Sequence, residues 1–285
     1  MRLLSPREVA DALGVSESSL KRWVDAGKIT AARTDGGHRR IALAEAMRFI
    51  RETGAPLAHP EALGMPEVAA ANARAARGED QLFAHVLAGD AVGVRGWLLS
   101  RYLAGANIEE LSDGPIRDAM ARLGELWRHD EDGIFIEHRG TDACVQAVAQ
   151  LRANFAPRSD GPVAVGGSPP DDPYLLPPML AATVIASVGM RAVNLGPNTP
   201  LAALQAAVAH HRPQLVWVSV STPLEGDRAR AIAAWLLALP AGTLGVVGGR
   251  SSDAVGAADP RVRVCASMTE LAEVTRSLLR PRPLT

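Results

Sequence analysis

Between residues 162 and 280, short Val-rich runs alternate with longer stretches of helical period, and few folds accommodate that alternation. The runs fall at 163–165, 192–195, 215–220, 244–247 and 262–264, and the helical stretches at about 178–188, 200–210, 225–238, 252–257 and 268–279. A short, continuously apolar run is the signature of a strand buried on both faces, and parallel strands need helical crossovers between them. Five strands with five helices predict an α/β unit over 160–285, a flavodoxin-like (Rossmann-type) doubly wound parallel sheet. Sheets of this kind bind ligands beyond the carboxyl ends of their strands. Attention therefore falls on 166–178, 219–223 and 248–250.

The rest of the chain has a different texture. Over 79–158 only helical period is visible. Ile116, Met120, Leu123 and Trp127 step by four, three and four, and Cys144, Val148, Leu151 and Phe155 repeat the stepping. Each set is one apolar helix stripe. With stretches near 80–88 and 91–104 they predict a four-helix bundle. Residues 56–78, rich in Ala, Pro, Gly and Glu, read as a linker that carries a loose helix. Residues 1–55 hold short, heavily punctuated helices and are expected to form a separate domain.

Composition narrows the setting. A 47% hydrophobic content suits a chain that buries real cores. Net charge is -1, but the first 56 residues hold ten Lys/Arg against seven Asp/Glu, a local balance of +3. Cys144 and Cys265 cannot build a disulfide framework or a Cys-rich metal site, which points to a reducing compartment. No run approaches the ~20 apolar residues that span a bilayer, and no signal-peptide core opens the chain. A soluble, cytoplasmic protein with no membrane partner is expected. No P-loop, nucleophile elbow or zinc-protease helix is present, so the expectation is that the protein is not an enzyme.

Ser5-Pro6-Arg7-Glu8 is a capping box with Pro at the first helical position. That helix runs to about Leu13, Gly14-Val15 makes a tight turn, and Ser16 caps a second helix that Gly27 stops. Two short helices around a Gly-containing turn fit a helix-turn-helix. The second helix offers Ser18, Ser19, Lys21 and Arg22 to base edges and phosphates, while Trp23 reads as core. Asp35-Gly36-Gly37 between Ile29 and Ile41 signals a β-hairpin. The basic hairpin would act as a wing, setting Arg33, His38, Arg39 and Arg40 against duplex DNA. The strings Gly14-Val15-Ser16, Leu20-Lys21-Arg22-Trp23, Gly27-Lys28-Ile29 and Gly36-Gly37-His38-Arg39-Arg40 resemble the MerR family and its short excisionase-like relatives. The resemblance implies binding to double-stranded promoter DNA as a dimer or higher oligomer.

Two further strings carry a second resemblance. Trp127, nine residues, then Glu137-His138 is similar to the W-x9-E-H signature of light-sensing cobalamin repressors of the CarH and LitR type, in which these side chains cover the upper face of adenosylcobalamin. The best-known members carry a cobalt-binding His directly after the Trp; here that place is Arg128, and His129 lies one step further, about 100 degrees round a helix. In the α/β region, Leu195-Gly196-Pro197-Asn198-Thr199-Pro200, Ser219-Val220-Ser221 and Gly248-Gly249 resemble the cobalamin-binding domain shared by methionine synthase and corrinoid regulators. The resemblance implies that Ser219, Ser221, Gly248 and Gly249 face the nucleotide tail. The family's Asp/Glu-x-His-x-x-Gly motif is broken: Asp172 keeps the acid, Tyr174 stands where the His would bind cobalt from below, and Pro177 replaces the Gly. A phenol is a poor substitute for a neutral imidazole on Co(III). His210-His211 close a helix, and His59 and His85 read as surface residues.

Three functions follow as expectations. The first is a transcriptional repressor whose bundle and α/β sensor bind cobalamin (adenosylcobalamin) or another tetrapyrrole and set self-association as a dimer or tetramer, in response to light. Tyrosinate is a known haem-iron ligand, so the cavity could suit haem chemistry. The second is a cofactor-independent MerR-type regulator that has lost cobalamin. The third is a corrinoid carrier or enzyme subunit.

Overall fold

The computed structural model describes residues 2–34, 36–77, 81–126, 133–155, 161–259 and 261–280. The chain divides into two compact units. Unit 1 comprises Met1–Asn107 and Pro115–Ala156, and unit 2 comprises Ile108–Gly114 and Pro157–Thr285.

Unit 1 opens with strand β1 (Leu3–Leu4), followed by helix α1 (Pro6–Ala12) and helix α2 (Glu17–Asp25). The capping box forms as the sequence predicts: Ser5 N–H donates to Glu8 Oε2 at 2.7 Å and Glu8 N–H donates to Ser5 Oγ at 3.2 Å. Strands β2 (Ala32–Arg33) and β3 (Arg39–Ala42) pair antiparallel, with β1 on the other side of β3. Helix α3 (Leu43–Thr53) closes the head, burying Met47, Phe49 and Ile50 beside Leu20, Ile29 and Ile41. Trp23 stacks on Phe49 with ring centroids 5.1 Å apart.

The 56–78 segment is not the loose connector its composition suggests. It forms a 3-10 turn, Pro60–Leu63, and helix α4 (Pro66–Ala76), with Leu63, Met65 and Val68 buried. Ala58 and His59 donate their backbone N–H groups to the Ala12 carbonyl at the end of α1. Helix α4 lies against α6 (Ala91–Leu103), where a Cβ on Gly96 would come within 2.6 Å of the Glu67 carbonyl. Small residues thus buy a close helix crossing that a larger side chain would prevent. Helices α5 (Leu82–Ala88), α6, α8 (Arg117–Leu126) and α9 (Gly133–Arg152) match the expected bundle stretches.

The head is anchored to this bundle by Arg51, in the last turn of α3. Its guanidinium donates to the Tyr102 carbonyl at 2.8 Å, to the Ala106 carbonyl and to Asn107 Oδ1, and it sits 4.5 Å over the Tyr102 ring. A planar cation here adds donors to carbonyls at and just beyond the C-terminus of α6 and complements that end of the helix dipole.

Unit 2 is a five-stranded parallel sheet of β4 (Val163–Gly167), β5 (Arg191–Asn194), β6 (Leu215–Ser219), β7 (Leu244–Gly248) and β8 (Arg263–Cys265), in the order β5-β4-β6-β7-β8. Counted within the sheet this is 2-1-3-4-5, the flavodoxin-like order. Alternate residues feed two cores. Leu215 and Trp217 pack with α10 (Leu176–Val188) and α14 (Met268–Leu279) on one face. Val216 and Val218 pack with α11 (Leu201–His211), α12 (Gly226–Leu237) and α13 (Asp253–Ala258) on the other. Gly166 makes room for the Trp217 indole, which a Cβ would meet at 2.2 Å.

One stretch of the expected 79–158 domain belongs elsewhere. Helix α7 (Ile108–Leu111) and the start of the π-type turn Ser112–Ile116 group with unit 2. Asp113 is the cause. Its carboxylate accepts the Met268 and Thr269 N–H groups at 2.9 Å and the Thr269 hydroxyl at 2.8 Å, capping α14 from a distant part of the chain. Buried Glu109 pairs with Arg276 on the same helix. Asp113→Ala strips two first-turn amides of α14 of their acceptor. It is expected to cost about 1–2 kcal/mol, read as a lower urea midpoint at unchanged slope.

Candidate functional sites

In the head, α2 exposes Ser18, Lys21 and Arg22, with Ser19 half-buried, and Arg22 donates to Ser19 Oγ at 3.1 Å. The hairpin exposes Arg33 and His38, and half-buries Arg39 and Arg40. Gly37, at φ +78, lets the chain reverse, and Thr34 and His38 close the turn through backbone and side-chain bonds. All eight residues named from the sequence lie on α2 or this hairpin. Lys21, Arg22 and Arg33 present exposed cations suited to phosphate oxygens. Arg39 is engaged differently: it donates to Asp25 Oδ1, the last residue of α2, at 2.6 Å. Asp25 was not among the residues the sequence singled out, because only the folded hairpin brings it to Arg39.

In the bundle, Trp127 and His129 lie outside the described residues. Glu137 and His138 are on the second turn of α9. His138 is exposed, its Nε2 is 3.5 Å from Glu137 Oε2, and Glu137 Oε1 accepts the Thr141 hydroxyl at 3.1 Å. Spacing places Ile134, Glu137, His138 and Thr141 on one side of the helix. Ile134 and Phe135 are 59% and 62% exposed, unusual for large apolar side chains, and Arg139 lies 5.0 Å over the Phe135 ring. The first two turns of α9 thus combine an apolar surface with a carboxylate and an imidazole. His85, which the sequence reads as a surface residue, is instead tucked against Asp90, Nδ1 to Oδ2 2.8 Å.

In unit 2 the loops leaving β4, β5 and β6 converge on one residue, Asp172. Asp172 is fully buried. Its Oδ2 accepts Ser221 N–H at 2.5 Å and Thr222 N–H at 3.4 Å, and its Oδ1 accepts Tyr174 N–H at 3.3 Å. Its own carbonyl accepts Asn198 N–H at 3.0 Å. The acid that the resemblance gives to a metal-binding His is therefore occupied by backbone amides of its own loop and of the loop after β6. Ser219 and Ser221 are buried at the end of β6. Gly248 and Gly249 follow at the end of β7, where a Cβ on Gly249 would reach within 2.4 Å of the Val220 carbonyl. Bare backbone at Gly249 is thus needed for the protein's own packing.

Around this carboxylate the loops are tightly specified. Asp171 and Asn198 adopt left-handed backbone at φ 62 and 52, and Arg228 pairs with Asp171 at 3.0 Å. Ser168 is fully buried, and its hydroxyl has no partner among the described residues. It immediately follows the Gly166-Gly167 exit of β4, a position the sequence could have flagged. Tyr174 is 44% exposed, and Arg250 lies 5.7 Å over its ring. Pro177 and Pro178 sit in the first turn of α10, which Pro tolerates.

Metal ligation is poorly served. Among the described residues no cluster of three or more His, Cys, Asp or Glu could hold a metal ion. Both cysteines are buried, and burial pushes the Cys144 thiol up to about 12 and the Cys265 thiol up to about 11. Neither supplies a ready thiolate. A cavity of about 480 Å³ in unit 2, lined by Val163, Arg212, Gln214 and Leu279 among others, opens at the amino ends of β4 and β6, away from the ligand-binding edge of such sheets. Among the described residues no helix is long and apolar enough to cross a membrane. Asp172→Ala would leave buried amides without an acceptor. It should cost about 3 kcal/mol, measurable by chemical denaturation, whereas Tyr174→Ala, at an exposed side chain, should cost under about 1 kcal/mol.

Comparison with known families places two regions. Residues 3–54 match a family described as a helix-turn-helix domain, and residues 79–152 match one described as a B12 binding domain. No curated protein matches the chain. Among solved structures, the monomethylamine corrinoid protein of Methanosarcina barkeri is 16% identical over 69% of this chain and 96% of its own, with a TM-score of 0.54. It shares the fold over that span. A cobalamin-binding protein from Desulfitobacterium hafniense, also 16% identical over 69% of this chain and 96% of its own, superposes more loosely, with a TM-score of 0.38.

Proposed function

We propose that the protein is a DNA-binding transcription regulator of MerR type, acting in the cytoplasm as a repressor, with cobalamin or a related tetrapyrrole as its signal. The carrying observation is the union in one chain of a helix-turn-helix domain and a B12 binding domain. In this reading α2 enters the major groove of promoter DNA and the β2–β3 hairpin is the wing along its backbone. Paired half-sites require paired heads, so the chain works as a dimer or tetramer, and ligand controls that assembly. The domains in this reading are the head over 1–55, the bundle over 79–158 and the α/β unit over 160–285.

The residues present fit the flat ring of such a ligand better than its metal. Within the helical unit, Ile134 and Phe135 offer apolar surface, with Glu137 and His138 close by on the same helix. Lower-face cobalt ligation does not fit: Tyr174 replaces the imidazole, and Asp172 is committed to amides. Position 174 would offer a corrinoid a phenol in place of an imidazole. The same misfit favours a second reading, a regulator that works without cofactor. The helix-turn-helix domain sets both apart from a corrinoid carrier.

The test is a duplex from upstream of the protein's own gene, titrated over a salt series, with and without adenosylcobalamin, in darkness and in light. A salt-sensitive complex whose stability changes with cobalamin supports the first reading. A complex indifferent to cobalamin and light leaves the cofactor-independent one. No salt-sensitive complex with any such fragment overturns both. Arg22→Ala is expected to weaken the complex by about 1–3 kcal/mol while leaving the fold intact. Tyr174→His is expected to shift the absorption spectrum of added cobalamin toward nitrogen ligation; an unchanged spectrum would mean that the Pro-rich loop itself, and not only the missing imidazole, prevents ligation.

A further inference from the structure

The ion pair between α2 and the hairpin joins the two elements assigned to DNA. Asp25 shares a stripe of α2 with Ser18 and Arg22, at i, i+4 and i+7, so it is an acid on the face that would meet the duplex. Arg39 opens β3, in register with Arg33 of β2, and its guanidinium donates to Asp25 Oδ1 at 2.6 Å. The arginine side chain is 25% exposed and the aspartate 51%. Arg39 is thus drawn inward, while Arg22 and Arg33 are exposed. An uncovered carboxylate at this point would repel the phosphates, and a hairpin freed from α2 would lose its fixed angle to the helix.

We infer that Arg39 serves the DNA interface through Asp25 rather than through a phosphate. It is a positioning residue that neutralises the acid at the foot of the DNA-facing stripe and sets the hairpin against α2. The inference rests on the DNA-binding reading above and assigns roles within it: Lys21, Arg22 and Arg33 carry phosphate contacts, and the Asp25–Arg39 pair holds the geometry.

Charge-neutral exchange separates positioning from contact. Full-length wild type, Arg39→Gln, Asp25→Asn and the double variant are titrated by fluorescence anisotropy against one upstream duplex over a salt series, with circular dichroism as the folding control. Arg39→Gln alone should weaken binding about tenfold, because Asp25 is left uncovered. The double variant, whose two amides can still hydrogen-bond to each other and hold the hairpin to α2, should return to within about threefold of wild type and keep its slope of log affinity on log salt. Asp25→Asn alone should also stay within about threefold at an unchanged slope. A double variant as weak as Arg39→Gln, with a slope shallower by about 0.9, would make Arg39 a phosphate contact and overturn the inference. Tighter binding with a steeper slope in Asp25→Asn would overturn it too, since Asp25 would then be withholding Arg39 from the backbone. If wild type binds no duplex, the DNA-binding reading fails first and this assignment with it.

Discussion

Arg51 makes the head part of a larger body. A guanidinium that donates to Tyr102 and Ala106 carbonyls, to Asn107, and lies over the Tyr102 ring is held by four features of one helix end. Such a cation is hard to release, because three hydrogen bonds and a ring contact would be lost together. Helix α3 therefore takes its direction from α6, and α4 packs along α6 through the gap at Gly96. A head joined this way packs directly on the helices of its own unit, which in the proposed reading gives events there a path to DNA. Communication through rigid packing requires no flexible tether.

The carboxyl edge of the α/β sheet depends on the same economy applied to an anion. Asp172 gathers amides from two loops, so Ser221 and Thr222 are fixed relative to Tyr174. A buried carboxylate is tolerable only when hydrogen bonds replace its water, and these do. The consequence is a trade: the loop gains definition and the acid gives up any outward role. That trade leaves the carboxylate turned to the amides of its own and the neighbouring loop.

Much of the architecture could be read from the sequence because its signals are local. Val-rich runs at β4, β6 and β7 announce buried parallel strands, and Ser5 and Ser16 announce the two head helices a few residues ahead of them. What escaped the sequence was long-range. Asp113 meets α14 across 156 residues, Asp172 meets Ser221 across 49, and Arg39 meets Asp25 across 14. Charged residues in loops carry no periodicity, so nothing in their spacing reveals a partner. Residues 56–78 misled for a related reason: an Ala-rich composition resembles a tether, yet α4 packs on α6 where Gly96, far along the chain, leaves room for the Glu67 carbonyl.

The alternation of units along the chain has a consequence for how the protein can be taken apart. Ile108–Gly114 packs with the α/β unit, although helical-bundle sequence lies on both sides of it. No single cut divides the polypeptide into two intact pieces. A fragment starting after the bundle would carry the sheet but lack the carboxylate that caps its final helix, and a fragment ending there would keep that turn with nothing to receive it. The backbone passes between the two units three times, so each unit can be completed only when the whole polypeptide is present.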